Sequence, residues 1–155
     1  MKKVIKYIST QELFPVIEEL LEEQQQQVLF TITGMSMWPF LCHGRDKVIV
    51  EKCDVDKIQK GDVVLFQTHL GNYIMHRVTK VSEEEFETTG DGNCFRDGFF
   101  PKKNIRAKIV KMIRKEKTID CASLGWRIVF RFWMICFPIR RYLLMILRKV
   151  AKLRN

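Results

Sequence analysis

The sequence predicts a mainly β protein: a coiled, barrel-like β domain with one helix before it and a helical tail behind it. Three observations lead there. Six segments alternate apolar and polar residues with a period of two and are rich in Val, Ile, Phe and Thr. Clusters of turn-forming residues separate them at His43–Asp46, Lys60–Asp62, Leu70–Asn72 and Gly90–Asn93. Beyond Cys121 the composition changes abruptly to aromatic and basic residues with no acidic ones. A chain of 155 residues has room for one domain and an appendage. The expected division is an N-terminal helix and linker over 1–27, a β domain over 28–117, and a helical tail over 118–155.

Ser9–Glu12 has the form of a capping box, and Leu13, Phe14, Ile17, Leu20 and Leu21 then recur on one helical face. Pro15 falls inside that pattern, either within the helix or as its first residue after an extended start. Glu18, Glu19, Glu22 and Glu23 are expected to face water, and Gln24–Gln27 to end the helix in a linker. Strands are predicted over Val28–Thr33, Lys47–Glu51, Asp62–Gln67, Tyr73–Val81, Glu85–Thr89 and Ile105–Ile113.

The tail carries the charge of the molecule. Of 27 basic residues, eight lie between Arg127 and Arg154, whereas the 18 acidic residues all precede Cys121 and leave the body close to neutral. A nucleic-acid-binding domain carries its basic surplus on the folded body, so nucleic acid is not an expected partner. Trp126, Phe130, Phe132, Trp133 and Phe137 make the tail apolar, yet Arg127, Arg131, Arg140 and Arg141 interrupt it. No window offers the roughly 20 uncharged residues of a spanning helix. Pro138 is expected to divide the tail into two helices. Basic stripes beside an aromatic face suit a helix lying in the interface of an anionic membrane. The alternative is a tail that packs back on the sheet or on a partner. The start of the chain shows no secretory leader, because Lys6 and Ser9–Glu12 break the apolar run. The expected location is therefore peripheral, on the cytoplasmic side of a membrane. Five scattered cysteines without a CxxC pair suggest neither a disulfide framework nor a zinc site.

Three segments hold residues capable of chemistry. Ser36 lies in Thr33–Phe40 directly after a predicted strand, beside Gly34 and Pro39, where an open turn can expose a nucleophile. Taken alone, a serine after a glycine is ordinary turn chemistry. His76 alternates with Ile74 and Val78 on one strand face, as a satisfied core residue or as a base in a dry site. His43 and His69 read as exposed loop residues. Gly90–Gly98 is first a turn, and it supplies two carboxylates, Asp91 and Asp97. A Ser, His, Asp order on three segments permits a nucleophile, a base and an orienting acid.

Together these segments carry a resemblance. Gly34–Pro39, Gly61–Phe66, His76–Val78 and Gly90–Asn93 with Asp97 resemble, in order, the boxes of type I signal peptidases over roughly residues 28–112. Bacterial members usually carry lysine where this chain has His76; the endoplasmic-reticulum type and its prokaryotic relatives carry histidine, and the chain is similar to those. The Gly34–Met37 stretch also resembles the serine box of LexA-type self-cleaving repressors, which share the fold but use a lysine base. The resemblance implies a coiled β domain with Ser36 as nucleophile, His76 as base and Asp97 as the acid that orients it. Asp91 is implied to be a supporting or alternative acid.

The expected function is thus a serine endopeptidase that cleaves an extended polypeptide segment through an acyl-enzyme, with no metal or organic cofactor. The alternatives are a membrane-associated peptide-binding module without catalysis, or a self-cleaving regulatory protein on the same fold.

Overall fold

A computed structural model of the chain describes residues 10–22 and 27–153. Helix α1 (Thr10–Glu22) packs with the face its spacing predicts: Phe14, Ile17 and Leu21 are buried, with Leu13 and Leu20 packed beside them. Pro15 lies inside the helix and is exposed, so the buried face, rather than the proline, decides where the helix runs. Ser9 and Glu23, named above for the cap and the polar face, lie outside the described residues, as do Gln24–Gln26. Glu18 departs from the expectation of a solvated face. It is half-buried, accepts a hydrogen bond from the Tyr73 hydroxyl at 2.9 Å, and sits 3.3 Å from Arg106.

The strands are β1 (Gln27–Thr31), β2 (Asp46–Glu51), β3 (Val63–Gln67), β4 (Tyr73–Val81), β5 (Glu85–Thr89), β6 (Gly98–Pro101), β7 (Ile105–Arg114) and β8 (Lys117–Asp120). They form one sheet in the order β1-β2-β7-β3-β4-β5-β6, with β8 on β7, and every pairing is antiparallel. The sheet is open, since β1 and β6 stand at its two ends, and the full closure of a barrel is absent among the described residues. Register shifts at Ile49/Val50, Leu65/Phe66 and Val78/Lys80 each insert an extra residue, which bends and twists a strand without closing the sheet. The six predicted strands are present to within two residues at each end. Two short ones, β6 and β8, had no predicted counterpart, and β8 carries the sheet to Asp120, past the expected domain edge.

β3 shows why the body holds together. Val63, Val64, Leu65 and Phe66 are all buried, so this strand has apolar neighbours on both faces. Val63 and Leu65 join Val48, Val50, Ala107, Ile109 and the apolar face of α1 in the larger core. Val64 and Phe66 join Val78, Phe86, Phe100 and Ile105 in a second core on the other side.

After β8 come α2 (Leu124–Ile135), a single 3-10 turn over Phe137–Ile139 that contains Pro138, and α3 (Arg140–Leu153). Proline interrupts the helix because it cannot donate the next backbone hydrogen bond. One side of α2 packs on the body: Phe130 and Trp133 are buried, and Phe40 meets the rings of Trp126, Phe130 and Trp133 edge-on at 6.4, 5.3 and 5.6 Å. Another side is open, with Leu124, Ile128, Phe132 and Ile135 exposed, and Ile139, Tyr142, Ile146 and Val150 continue the exposed apolar surface through α3. The tail therefore packs back on the sheet and still presents an apolar surface outward. No described helix is long and apolar enough to cross a membrane.

Candidate active site

The segment between β1 and β2 carries Ser36 and is fastened at its base by Asp46. Asp46 is 1% exposed at the start of β2, on the inward row that continues with Val48 and Val50. Its carboxylate accepts from the Cys42 N–H at 2.8 Å, from Arg45 at 2.7 and 3.0 Å, and from Arg114 at 3.0 and 3.3 Å. Burial pushes its pKa up, but the bonds from Arg45, Arg114 and the Cys42 N–H outweigh burial and hold it below the ordinary value. Arg114 also donates to the Phe40 carbonyl, tying β7 to the same segment. At the upper end Gly34 has φ of 89°, the left-handed region that glycine tolerates, and its N–H donates to His43 Nδ1 at 3.2 Å. Ser36 is exposed at the turn between these anchors, with Met37 buried beneath it.

His76 lies on β4 opposite Val64 of β3 and is 6% exposed. Its Nδ1 is 2.6 Å from Asp97 Oδ2. A carboxylate only accepts, so Nδ1 carries the proton and Nε2 of the neutral ring is left to accept. The Thr88 hydroxyl donates to the same Asp97 oxygen at 2.8 Å, and the Asp97 N–H donates to the Thr88 carbonyl at 2.9 Å. Two bonds to one threonine on β5 thus fix where Asp97 points.

Asp91 has a different neighbour. It is fully buried and receives Arg77 in a two-pronged bond, Nε to Oδ1 at 2.8 Å and a terminal nitrogen to Oδ2 at 2.7 Å. Arg77 donates further to the Gly61 carbonyl at 2.7 Å and stacks over Phe130, 4.0 Å from the ring centre. His76 and Arg77 alternate on β4, so the strand hands its imidazole to Asp97 and its guanidinium to Asp91.

The Gly90–Asn93 turn brings the Ser36 segment toward His76. The Gly92 N–H donates to the Ser36 carbonyl at 2.8 Å. A Cβ at Gly90 would stand 2.5 Å from the Ser36 carbonyl oxygen and 3.0 Å from His76 Nε2. At Gly92 it would stand 2.9 Å from the Met35 oxygen and 3.0 Å from that of Trp38. Only glycine lets the Ser36 turn lie this close, and the Ser36 carbonyl and His76 Nε2 both pack against Gly90. No hydrogen bond joins the Ser36 hydroxyl to His76; such contacts in catalytic sites commonly tighten only when substrate binds.

Ser36 and His76 both line a groove of about 260 Å³, together with Leu13, Phe14, Phe30, Ile32, Thr33, Gly34 and Met37 and the Tyr73–Met75 stretch of β4. From Tyr73 to His76 the β4 strand pairs with β3 alone, because β5 joins it only from Arg77 onward. The structure therefore brings Ser36, His76 and Asp97 to one place and holds Asp91 apart on Arg77. His43 and His69 are at the surface, His69 stacked on Phe100 at 5.1 Å between ring centres. Sequence reasoning missed Thr88, Asp46 and Arg77. Thr88 and Asp46 share one legible signal: a polar residue on the inward row of a strand has to find a partner.

A comparison with protein-family models gives no match, and one with curated proteins gives none.

Proposed function

We propose that the protein is a serine hydrolase acting on polypeptides. More narrowly, we read it as an endopeptidase on a fold of the signal-peptidase and LexA type, with Ser36 as nucleophile, His76 as base and Asp97 as the acid that orients it. The observation that carries this reading is the imidazole held by Asp97 at 2.6 Å, with Nε2 and the carbonyl of an exposed serine both against the same glycine, Gly90. In such an arrangement Nε2 takes the serine proton during attack on a peptide carbonyl and returns it to the leaving amine. The carboxylate meanwhile keeps the proton on Nδ1.

An extended substrate suits the groove, since the β4 edge from Ile74 to His76 is unpaired by strand on one side and can take another strand, whereas the Tyr73 N–H is already bonded to Gln11 Oε1 at 3.2 Å. The outer surface of the tail supports association with an anionic membrane. Exposed Ile128, Phe132 and Ile135 lie on the same helix as Arg127 and Arg131, and α3 adds Arg141, Arg148 and Lys149.

Labelling with a serine-directed phosphonate tests the chemistry. One label per molecule on wild type, lost in Ser36→Ala and in His76→Ala, is the expected result. A wild-type protein that is neither labelled nor active on a library of unfolded polypeptides overturns it. A peptide-binding module would bind the library without cutting it. A self-cleaving protein would lose intact mass on incubation.

A further inference from the structure

The tail reaches the candidate site from behind. The Trp133 indole Nε1–H donates to the Asp91 carbonyl at 3.1 Å. Arg140 donates to the carbonyls of Gly90 and Asn93 at 3.3 and 3.4 Å, and its other terminal nitrogen to the Trp133 carbonyl at 3.1 Å. Three carbonyls of one short turn are thereby taken by two side chains of the tail. The opposite side of the same turn faces the chemistry, with the Gly92 N–H on the Ser36 carbonyl and Gly90 against His76 Nε2.

Arg140 is an unusual choice for a residue that merely fills space. It is fully buried, forms no salt bridge among the described residues, and lies between the rings of Trp133 and Phe137 at 5.3 and 4.9 Å. Both oxygens of the nearest carboxylate, Asp91, are already held by Arg77. Burial lowers the Arg140 pKa from its ordinary value, and nearby Arg77 lowers it further against the pull of Asp91. An apolar side chain would avoid that cost of burying charge. What the guanidinium supplies, and an apolar group cannot, is a planar donor that bridges two turn carbonyls with one terminal nitrogen and the Trp133 carbonyl with the other, although its buried Nε has no partner among the described residues.

We propose that Trp133 and Arg140 are positioning residues of the site: the tail clamps the Gly90–Asn93 turn and so holds the Ser36 segment against His76. The catalytic half of this inference rests on the peptidase reading above. The clamp acts through backbone carbonyls and touches no substrate, since no tail residue lines the Ser36 groove. A loosened clamp therefore lowers kcat and leaves KM in place.

The deciding variant is Trp133→Phe, which keeps a ring on the packed face and deletes the N–H; Arg140→Lys keeps a charge without the planar fork, and Arg140→Met risks the fold. Gly125→Ala, at an exposed position of the same helix where a Cβ meets nothing within 4 Å, is the control. Two quantities are read on the full chain: amide hydrogen exchange at Gly92, and kcat and KM on a cleaved peptide per folded molecule. We expect Trp133→Phe to speed Gly92 exchange by about tenfold, the scale of one buried hydrogen bond. The value of kcat falls by about the same factor, with KM within about twofold, while Gly125→Ala changes neither. Arg140→Lys falls between wild type and Trp133→Phe. A folded Trp133→Phe with wild-type exchange overturns the clamp. Faster exchange with unchanged kcat reduces these residues to packing and overturns their positioning role. Should wild type neither label nor cleave, the peptidase reading fails by itself. Gly92 exchange then decides the clamp alone, faster exchange supporting it and unchanged exchange refuting it.

Discussion

Adding one methyl group at Gly90 puts the arrangement of the site to a severe test. The alanine Cβ would lie 2.5 Å from the Ser36 carbonyl oxygen, 2.7 Å from Asn93 Nδ2 and 3.0 Å from His76 Nε2. Ordinary contacts begin near 3.4 Å, so the serine backbone has to retreat by close to an ångström while His76 gives way by less. The Asn93 amide can swing aside, but a backbone oxygen cannot. Overpacking of this kind costs about 1–3 kcal/mol of stability. Misplacing a reacting group by about an ångström costs roughly a hundredfold in rate. Gly90→Ala should therefore fold with a lowered Tm and react with the phosphonate about a hundred times more slowly. Gly125→Ala is the internal control, because its Cβ meets nothing within 4 Å on an exposed helical position. There alanine adds helix propensity, about 1 kcal/mol in the stabilising direction. Both variants are read by thermal unfolding and by the rate of covalent labelling. A Gly90→Ala protein with wild-type Tm and wild-type labelling rate refutes the claim that the Ser36 turn and His76 meet at this glycine.

Four other outcomes follow from the same contacts. Thr88→Val removes the hydroxyl that donates to Asp97 Oδ2 at 2.8 Å with little change in shape; labelling should slow by about tenfold, measured beside a Tm that moves little. Asp46→Asn weakens a buried carboxylate shared by two arginines and the Cys42 N–H; about 2–3 kcal/mol should be lost, read from urea unfolding. Because the folded-state pKa of Asp46 is depressed, its contribution is present above the unfolded value near 4 and is lost as pH falls below it. The stability gap between wild type and Asp46→Asn should accordingly begin to narrow below about pH 4 and go on narrowing as pH falls through the depressed folded-state value, and a gap that does not narrow would contradict the assignment. Phe132→Ser with Ile135→Ser should weaken co-sedimentation with anionic vesicles while leaving Tm nearly unchanged, since these side chains are 64% and 76% exposed.

Much of the fold was legible because strand alternation is a local signal. Val48 and Val50 face inward and Lys47 outward. The run Val63–Phe66, counted among the alternating segments, is correctly a strand but departs from alternation, since all four residues are buried with apolar neighbours on both faces. The edges were less legible. β6 is four residues ending in proline, and β8 reads Lys-Thr-Ile-Asp, too short and too polar to show a period. Their pairing with β5 and β7 is supplied by neighbours distant in sequence, not by their own residues. Closure was not legible either. Whether a coiled sheet meets itself depends on strand stagger and tilt, which no local pattern encodes.

The site divides along the same line. Ser36, His76 and Asp97 could be named from the sequence, each in a segment with its own signature. What makes them one place could not, because the parts that bring them together come from residues with ordinary roles in sequence. Gly90 and Gly92 read as a turn, yet what matters at these two is the missing Cβ. Thr88 reads as a strand residue, yet it aims a carboxylate. Arg140 reads as one more charge in a basic tail, yet it is fully buried. Net charge alone would have sent it to the membrane with Arg141, its neighbour, which is exposed. The helix start explains the difference, since consecutive positions on a helix point about 100° apart, one toward the Gly90–Asn93 turn and one toward solvent. In the proposed reading a basic amphipathic tail thus serves two surfaces at once, with donors on one side ordering a turn of the candidate site and exposed charges on the other facing an anionic surface.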